Sequence, residues 1–121
     1  MKLYFYILDN DQKFNPETRT FGDPVFKVRV EECEVIEEPK TYKAVTRFPK
    51  GIYIEHVKKE NIGRISDSFV PYIVLEKPNY QFVKDKFLEK CNEEISRFKN
   101  AIAMYENKIA TVENYKEDTK C

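Results

Sequence analysis

The segment KTYKAVTRFPKGIY, residues 40–53, carries four basic side chains and three aromatic rings but no carboxylate. An arginine guanidinium can hold a phosphate through two parallel hydrogen bonds, and an aromatic ring can stack on a nucleotide base. These residue types predict a site for a small phosphorylated nucleotide. A second interpretation stays open, in which the rings point into a β-sheet core and the basic groups are only solvated.

The predicted ligand set combines cations for the phosphates, a ring for the base, and polar groups from the C-terminal helix. In that order, the expected residues are Lys43, Arg47 and Arg64, then Phe48 or Phe82, then Asn92 or Arg97. If the segment is a strand as far as Phe48, then Lys43 and Arg47 project from one face and Phe48 from the other. A ring from elsewhere, such as Phe82, would then complete the site.

Motifs for catalysis and for metal binding are missing from the sequence. His56 is the only histidine, and Cys33, Cys91 and Cys121 are widely spaced along the chain. An activated nucleophile needs a neighbouring base, and a zinc site needs a clustered set of Cys and His ligands. With three glycines in all, no phosphate-cradling loop occurs. We therefore predict a non-catalytic protein that uses no metal and no cofactor.

Composition narrows the range of partners and locations. The 121 residues fit one domain, and 21 basic side chains balance 21 acidic ones, so the net charge is zero. DNA-binding and RNA-binding domains usually carry a basic excess, so we expect no nucleic-acid polymer as a partner. No segment approaches the ~20 apolar residues of a membrane span. Three free thiols suit a reducing cytoplasm, which is the predicted location.

Hydrophobic alternation and turn residues predict an α+β fold in which a small antiparallel sheet, residues 1–78, precedes a helical segment, residues 79–121. The predicted strands are KLYFYIL, VFKVRVEECEVIE, TYKAVTRF (residues 41–48), IYIEHV and FVPYIVLE. From Asn79 onward the chain contains neither glycine nor proline, and Asn79 is a favourable residue before the first turn of a helix.

Apolar residues in the helical segment repeat at alternating steps of three and four, which is the heptad pattern of a coiled coil. Positions a of this heptad stripe are Leu88, Ile95, Ile102 and Ile109, and positions d are Cys91, Phe98, Tyr105 and Val112. The pattern predicts a homodimer or a higher homo-oligomer formed through the helix. Two alternatives stay open, in which the stripe packs on the chain's own sheet or the helix breaks near Asn92 or Asn100.

Two segments, ECEVIEEPKTYK (residues 32–43) and VKKENIG (residues 57–63), are similar to small phage-encoded anti-defence proteins. The layout of a compact sheet followed by an oligomerising helix resembles the Thoeris anti-defence family of cyclic-ADP-ribose sponges. The resemblance implies a non-catalytic protein that sequesters a cyclic nucleotide signal of bacterial immunity in the host cytoplasm. It also implies pockets between the helices and sheets of adjoining protomers.

The acidic run, residues 31–38, supports an alternative function. Its five carboxylates, Glu31, Glu32, Glu34, Glu37 and Glu38, could pair with a basic patch on a partner protein. The chain would then be a protein–protein inhibitor of a host defence or CRISPR-type enzyme. The same carboxylates could instead pair with cations of this chain across a sheet. A structural oligomer without any small ligand is the third reading.

Overall fold

The computed structural model describes residues 1–67 and 69–116, and it shows an α+β fold with a curled antiparallel sheet and one C-terminal helix. The elements are β1 (Lys2–Asn10), β2 (Phe14–Asn15), β3 (Thr20–Phe21), β4 (Phe26–Glu37), β5 (Thr41–Ala44), β6 (His56–Lys58), a 3-10 turn (Lys59–Asn61), β7 (Ile65–Asp67), β8 (Pro71–Leu75) and α1 (Tyr80–Glu113). The predicted fold class is confirmed at this level.

The main sheet has the strand order β6-β5-β4-β1-β8-β7, and β2 and β3 form a separate hairpin. The central strand β1 pairs with β4 from Lys2 opposite Glu34 to Asn10 opposite Phe26. Its apolar run, residues 3–8, is buried or half-buried on both faces, which explains why it lacks the alternation of a half-exposed strand.

The concave face of the sheet encloses the main core. Its eleven buried side chains come from β1, β4, β5, β6, β8 and the loop between β5 and β6: Leu3, Phe5, Ile7, Cys33, Val35, Tyr42, Phe48, Ile52, Val57, Tyr72 and Val74. The hydroxyl of Tyr42 in β5 donates a 2.5 Å hydrogen bond to Oε2 of Glu76, just after β8. Since β4 and β1 separate β5 from β8 in the sheet, this bond requires the sheet to curl.

Strand β5 is shorter than the sequence predicts. Residues 41–48 read as one strand, whereas β5 ends at Ala44. The predicted strand at residues 52–57 is likewise reduced to β6, His56–Lys58. Residues 45–55 form instead a long connection that returns Phe48 and Ile52 to the core. The two-residue alternation used to orient Arg47 therefore does not apply to it.

The helix α1 is one element of 34 residues. Asn79 caps it as predicted, because its Oδ1 accepts a 3.1 Å hydrogen bond from the Phe82 amide, and its own amide donates to the Tyr6 hydroxyl at 3.1 Å. Compactness divides the chain into two units, Met1–Lys84 and a second unit that begins at Asp85. Within the part of the chain that the structure describes, no helix has the length and apolarity to cross a membrane.

The heptad stripe is exposed along the second unit. Seven of its eight side chains each show at least 50% of their surface, and the thiol residue Cys91 is also exposed: Leu88, Ile95, Phe98, Ile102, Tyr105, Ile109 and Val112. Apolar surface of this extent on a regular helix is typical of a face that another chain covers.

Candidate anion-binding groove

An open groove of about 670 Å³ lies along the connection between β5 and β6, a volume in the usual range for small-molecule sites. We call it the basic groove. Its lining comes from one stretch of chain: Lys43, Ala44, Thr46, Arg47, Phe48, Pro49, Lys50, Gly51, Ile52, Tyr53, Ile54 and Glu55. The basic-aromatic segment, residues 40–53, thus supplies most of this concave surface.

The floor of the basic groove is shaped by a tight turn. The Ile52 amide donates to the Pro49 carbonyl at 3.1 Å, and Gly51 takes a φ of 92°. A positive φ at this turn position is the conformation that glycine adopts without strain. Pro49, the first residue of the turn, is buried.

Arg29 of β4 holds the turn from behind. Its Nη2 donates to the Lys50 carbonyl at 2.8 Å, its Nε to Asp9 at 3.1 Å, and its Nη1 to Glu31 at 2.7 Å. Two carboxylates therefore neutralise this arginine, and its third contact fixes the backbone that carries Lys50. Arg29 acts as a positioning residue for the groove.

Three cations line the basic groove. None of the described residues forms an ion pair with Lys43, Arg47 or Lys50. All three are exposed, and one concave surface brings them together. The lining thus holds three cations and one carboxylate, Glu55. An excess of positive charge in a cleft raises the local concentration of anions, so this surface is suited to a phosphate group.

The acidic run, unlike the groove cations, is mostly engaged in ion pairs within the chain. Four of its five carboxylates are already paired within the chain: Glu31 with Arg29, Glu32 with Lys2, Glu34 with the Met1 amino group, and Glu37 with Lys59. Of these four cations, only Lys59 follows the acidic run in the sequence. The net charge of the sequence is zero, but most carboxylates of the acidic run are paired, whereas three cations of the basic groove form no ion pair with the described residues.

The ring that the groove offers is Tyr53 rather than Phe48. Phe48 is 8% exposed, and its ring centroid lies 5.7 Å from that of Phe5, so it belongs to the core. Tyr53 is 80% exposed and contacts Phe69 edge to face, with centroids 5.9 Å apart. An exposed ring that a second ring orients can stack on a flat base.

The predicted site residues fall into three groups. Lys43, Arg47 and Phe48 line the basic groove, whereas Arg64 and Phe82 do not. Phe82 packs on Gly63, where an added Cβ would lie 3.5 Å from the ring, and Arg64 is the next residue in the chain.

Asn92 and Arg97 belong to the second unit. They border a shallow surface of α1 together with Glu89, Glu93, Ser96 and Asn100. Arg97 is bound to Glu94 by a 2.5 Å hydrogen bond and lies 5.1 Å from the Phe98 ring. Lys90 and Arg97 together lower the pKa of Glu94, so its carboxylate stays charged and keeps the guanidinium engaged.

Two groove residues that the prediction left out, Lys50 and Tyr53, were visible in the sequence. Both lie in the basic-aromatic segment, but ring exposure could not be read from residue type alone. Cys33 lies behind the groove, where its thiol donates to the Arg47 carbonyl at 3.4 Å. Burial, with help from Glu34, raises the pKa of this thiol, so it is a poor nucleophile.

The described residues contain no group of three or more His, Cys, Asp or Glu side chains that could hold a metal ion. In comparisons with protein-family models, with curated proteins and with solved structures, no match to this chain was found.

Proposed function

We propose that this protein is a non-catalytic binding protein that holds a small phosphorylated nucleotide in the basic groove. The observation that carries the proposal is the set Lys43, Arg47 and Lys50, which share one groove and have no ion-pair partner among the described residues. The exposed ring of Tyr53 lines the same groove and supplies a surface for a base. Phosphate and base would thus be bound by neighbouring parts of one surface.

The resemblance to phage-encoded anti-defence proteins suggests a biological setting for this binding. In that setting the chain sequesters a cyclic nucleotide immune signal, such as one like cyclic ADP-ribose, and lowers its free concentration. Sequestration requires a tight site and no turnover. The absence of a nucleophile–base motif in the sequence agrees with this role.

The binding protein would act as an assembly of copies joined through α1. The heptad stripe exposes at least half of each of seven apolar side chains, and a coiled coil with a second copy would bury them. Burial of apolar surface contributes roughly 25 cal/mol per Å², which makes the exposed monomeric helix the less stable state. Sedimentation equilibrium of the chain should report a mass above that of one copy. Ile102→Glu should reduce it, and Ser96→Glu on the opposite face should not.

Ligand binding is tested by thermal unfolding and calorimetry with a panel of probes. The panel contains cyclic ADP-ribose, linear ADP-ribose, cyclic dinucleotides, cyclic mononucleotides, adenosine and inorganic phosphate. A ligand that binds only the folded chain raises its stability by RT ln(1 + [L]/Kd). We expect a shift with at least one phosphorylated cyclic nucleotide, a smaller one with phosphate, and none with adenosine. Chromatography of the recovered ligand should show it unchanged.

Variants locate the site. Lys43→Met and Arg47→Met should each weaken binding by about tenfold or more, because each removes a charge-assisted hydrogen bond. Lys13→Met removes an exposed cation outside the groove and should leave affinity unchanged. The absence of any shift with every probe at millimolar concentration would reject the proposal, as would equal loss in all three variants.

The alternative function, a protein–protein inhibitor, draws on a different surface. Phe26, Val28 and Val30 lie on one face of β4 and are all exposed. Apolar residues in a row on a strand are typical of contact surfaces. A stoichiometric protein captured from host lysate by the wild type but not by Val28→Lys/Val30→Lys would favour this function. Its capture by Lys43→Met would separate it from nucleotide binding.

A further inference from the structure

We propose that two copies of this chain pair through α1 as a parallel, in-register coiled coil, which places Cys91 of one subunit against Cys91 of the partner subunit. The inference rests on the self-association under Proposed function and adds its orientation and register. The occupant of the heptad stripe is thus a second copy, and the charges that flank the stripe set its orientation.

The flanking charges are complementary in the parallel arrangement. A residue at position g then faces the residue five places further along the partner, at position e. Glu94 faces the partner's Lys99, and Lys108 faces the partner's Glu113. Each contact occurs twice because the pair is symmetric, and all of them attract. Ala101 faces Glu106 of the partner subunit, which adds no repulsion.

The antiparallel arrangement aligns the apolar residues equally well. Leu88 would lie opposite Val112 of the partner subunit, and Phe98 opposite the partner's Ile102. Its flanking contacts are less favourable, however, since Lys99 would face the partner's Lys99 at the centre of the interface. Glu94 would still attract the partner's Lys108. Charge complementarity therefore selects the parallel orientation, whereas the apolar pattern alone does not.

Side-chain shapes in the stripe agree with a two-stranded parallel pair. Isoleucine occupies three of the four a positions, and β-branched residues at a are typical of parallel dimers. Cys91 is the single thiol of the stripe, and it is exposed in one copy. At a d position in a parallel pair, the two Cys91 Cα atoms would be about 6 Å apart, a separation that a disulfide spans.

Cross-linking of Cys91 distinguishes the parallel from the antiparallel orientation of the two helices. In the antiparallel alignment Cys91 lies opposite the partner's Ile109, and the two Cys91 residues are separated by 18 positions, or about 27 Å along the helix. A disulfide between them would then be impossible. The position of the cross-link thus distinguishes the two orientations without altering any charged residue.

The experiment uses the full chain with Cys121→Ser, so that Cys91 is the exposed thiol under study and Cys33 is buried. Mild oxidation with copper–phenanthroline, followed by gel electrophoresis without reductant, should convert the protein into a covalent dimer. Cys91→Ser in the same background should abolish the product. A matched control adds Ser96→Cys to that double variant, which places a thiol on the opposite face of the helix and should give no dimer.

A second variant tests the register directly. In Cys121→Ser/Ile109→Cys, mass spectrometry of the oxidised protein should find links from Cys91 to the partner's Cys91 and between the two introduced thiols. A link from Cys91 to the introduced thiol of the partner would overturn the parallel orientation. Sedimentation of the reduced protein separates the two proposals. A dimer without the Cys91 link rejects only this inference, and a monomer rejects self-association together with it.

Discussion

The hydroxyl of Tyr42 and the carboxylate of Glu76 are joined by a 2.5 Å hydrogen bond, although their strands β5 and β8 are not neighbours in the sheet. Tyr42 is only 1% exposed, and its ring also lies 5.3 Å from the Lys59 ammonium group. The contact closes the curled sheet at the same strand that begins the basic groove. Stability of the curl and geometry of the groove are therefore linked through β5.

Stability should fall in strong alkali because of this bond. The hydrogen bond to Glu76, and then burial, raise the pKa of Tyr42 from 10.0 to about 12. Between these values the unfolded chain releases the phenolic proton while the folded chain keeps it, so the free energy of unfolding decreases as pH rises. The contribution across this window is on the order of 2 to 3 kcal/mol.

Tyr42→Phe removes the titrating group and checks this expectation. Urea unfolding at pH 7 should show a loss of about 1.5 to 3 kcal/mol, because a hydrogen bond to a charged acceptor is lost. Between pH 10 and pH 12 the variant should lose less further stability than the wild type. Tyr53→Phe is the matched control, since Tyr53 is exposed and the loss of its hydroxyl should change neither quantity. Parallel pH profiles for all three proteins would contradict the assignment.

Arg29→Lys should weaken both the fold and the groove. A lysine ammonium cannot replace the fork that contacts Asp9, Glu31 and the Lys50 carbonyl together. We expect the free energy of unfolding to drop by about 1 to 3 kcal/mol and affinity for a phosphorylated ligand to drop several-fold. Arg19→Lys, an exposed change of the same chemistry, should leave both values unaltered. Unchanged affinity in Arg29→Lys would show that the turn keeps its shape without this anchor.

Asn79→Ala should destabilise the protein by about 1 kcal/mol, because the Phe82 amide loses its acceptor at the first turn of α1. Asn79→Asp should restore most of the loss, since aspartate is an equivalent cap. Asn100→Ala, in the interior of the same helix, should be neutral or slightly stabilising. Equilibrium unfolding in urea measures all three, and equal effects at both positions would argue against a cap.

The two described thiols should react at very different rates with Ellman's reagent. Cys91 is exposed, whereas Cys33 is buried and its pKa is raised. Low thiolate content and poor access both slow the modification of Cys33. In a Cys121→Ser/Ile102→Glu background, where association through α1 should be reduced and Cys91 exposed, we expect one fast and one slow phase at pH 8, and urea should merge them. Cys91→Ser in the same background should remove the fast phase. If the fast phase persisted, the reactive thiol would not be Cys91.

The sequence by itself determined the elements that depend on local pattern. The unbroken apolar run of β1, the alternation in β4, and the long segment without glycine or proline each have a direct conformational reason. The cap at Asn79 followed from residue type and position, and the structure shows its hydrogen bond. Such features involve neighbours in the chain, so their energetics can be read without knowing the fold.

Tertiary structure decided which side chains of the basic-aromatic segment line the groove and which enter the core. Lys43 and Arg47 were predicted to share a surface by strand alternation, and they share the groove although β5 ends at Ala44. Phe48 and Tyr53 look alike in sequence, yet one enters the core and the other stays in solvent. The difference arises because the curl of the sheet brings Phe5 to Phe48.

Tertiary structure also decided which charged side chains are paired. Residue counts show only that the chain is neutral, while the pairing of β1 with β4 places Lys2 and the amino terminus beside the acidic run. Ion pairs within the chain engage most of the acidic run, whereas Lys43, Arg47 and Lys50 form no ion pair with any of the described residues. Which charges remain unpaired depends on side chains brought together from distant parts of the chain, and that proximity is a property of the fold.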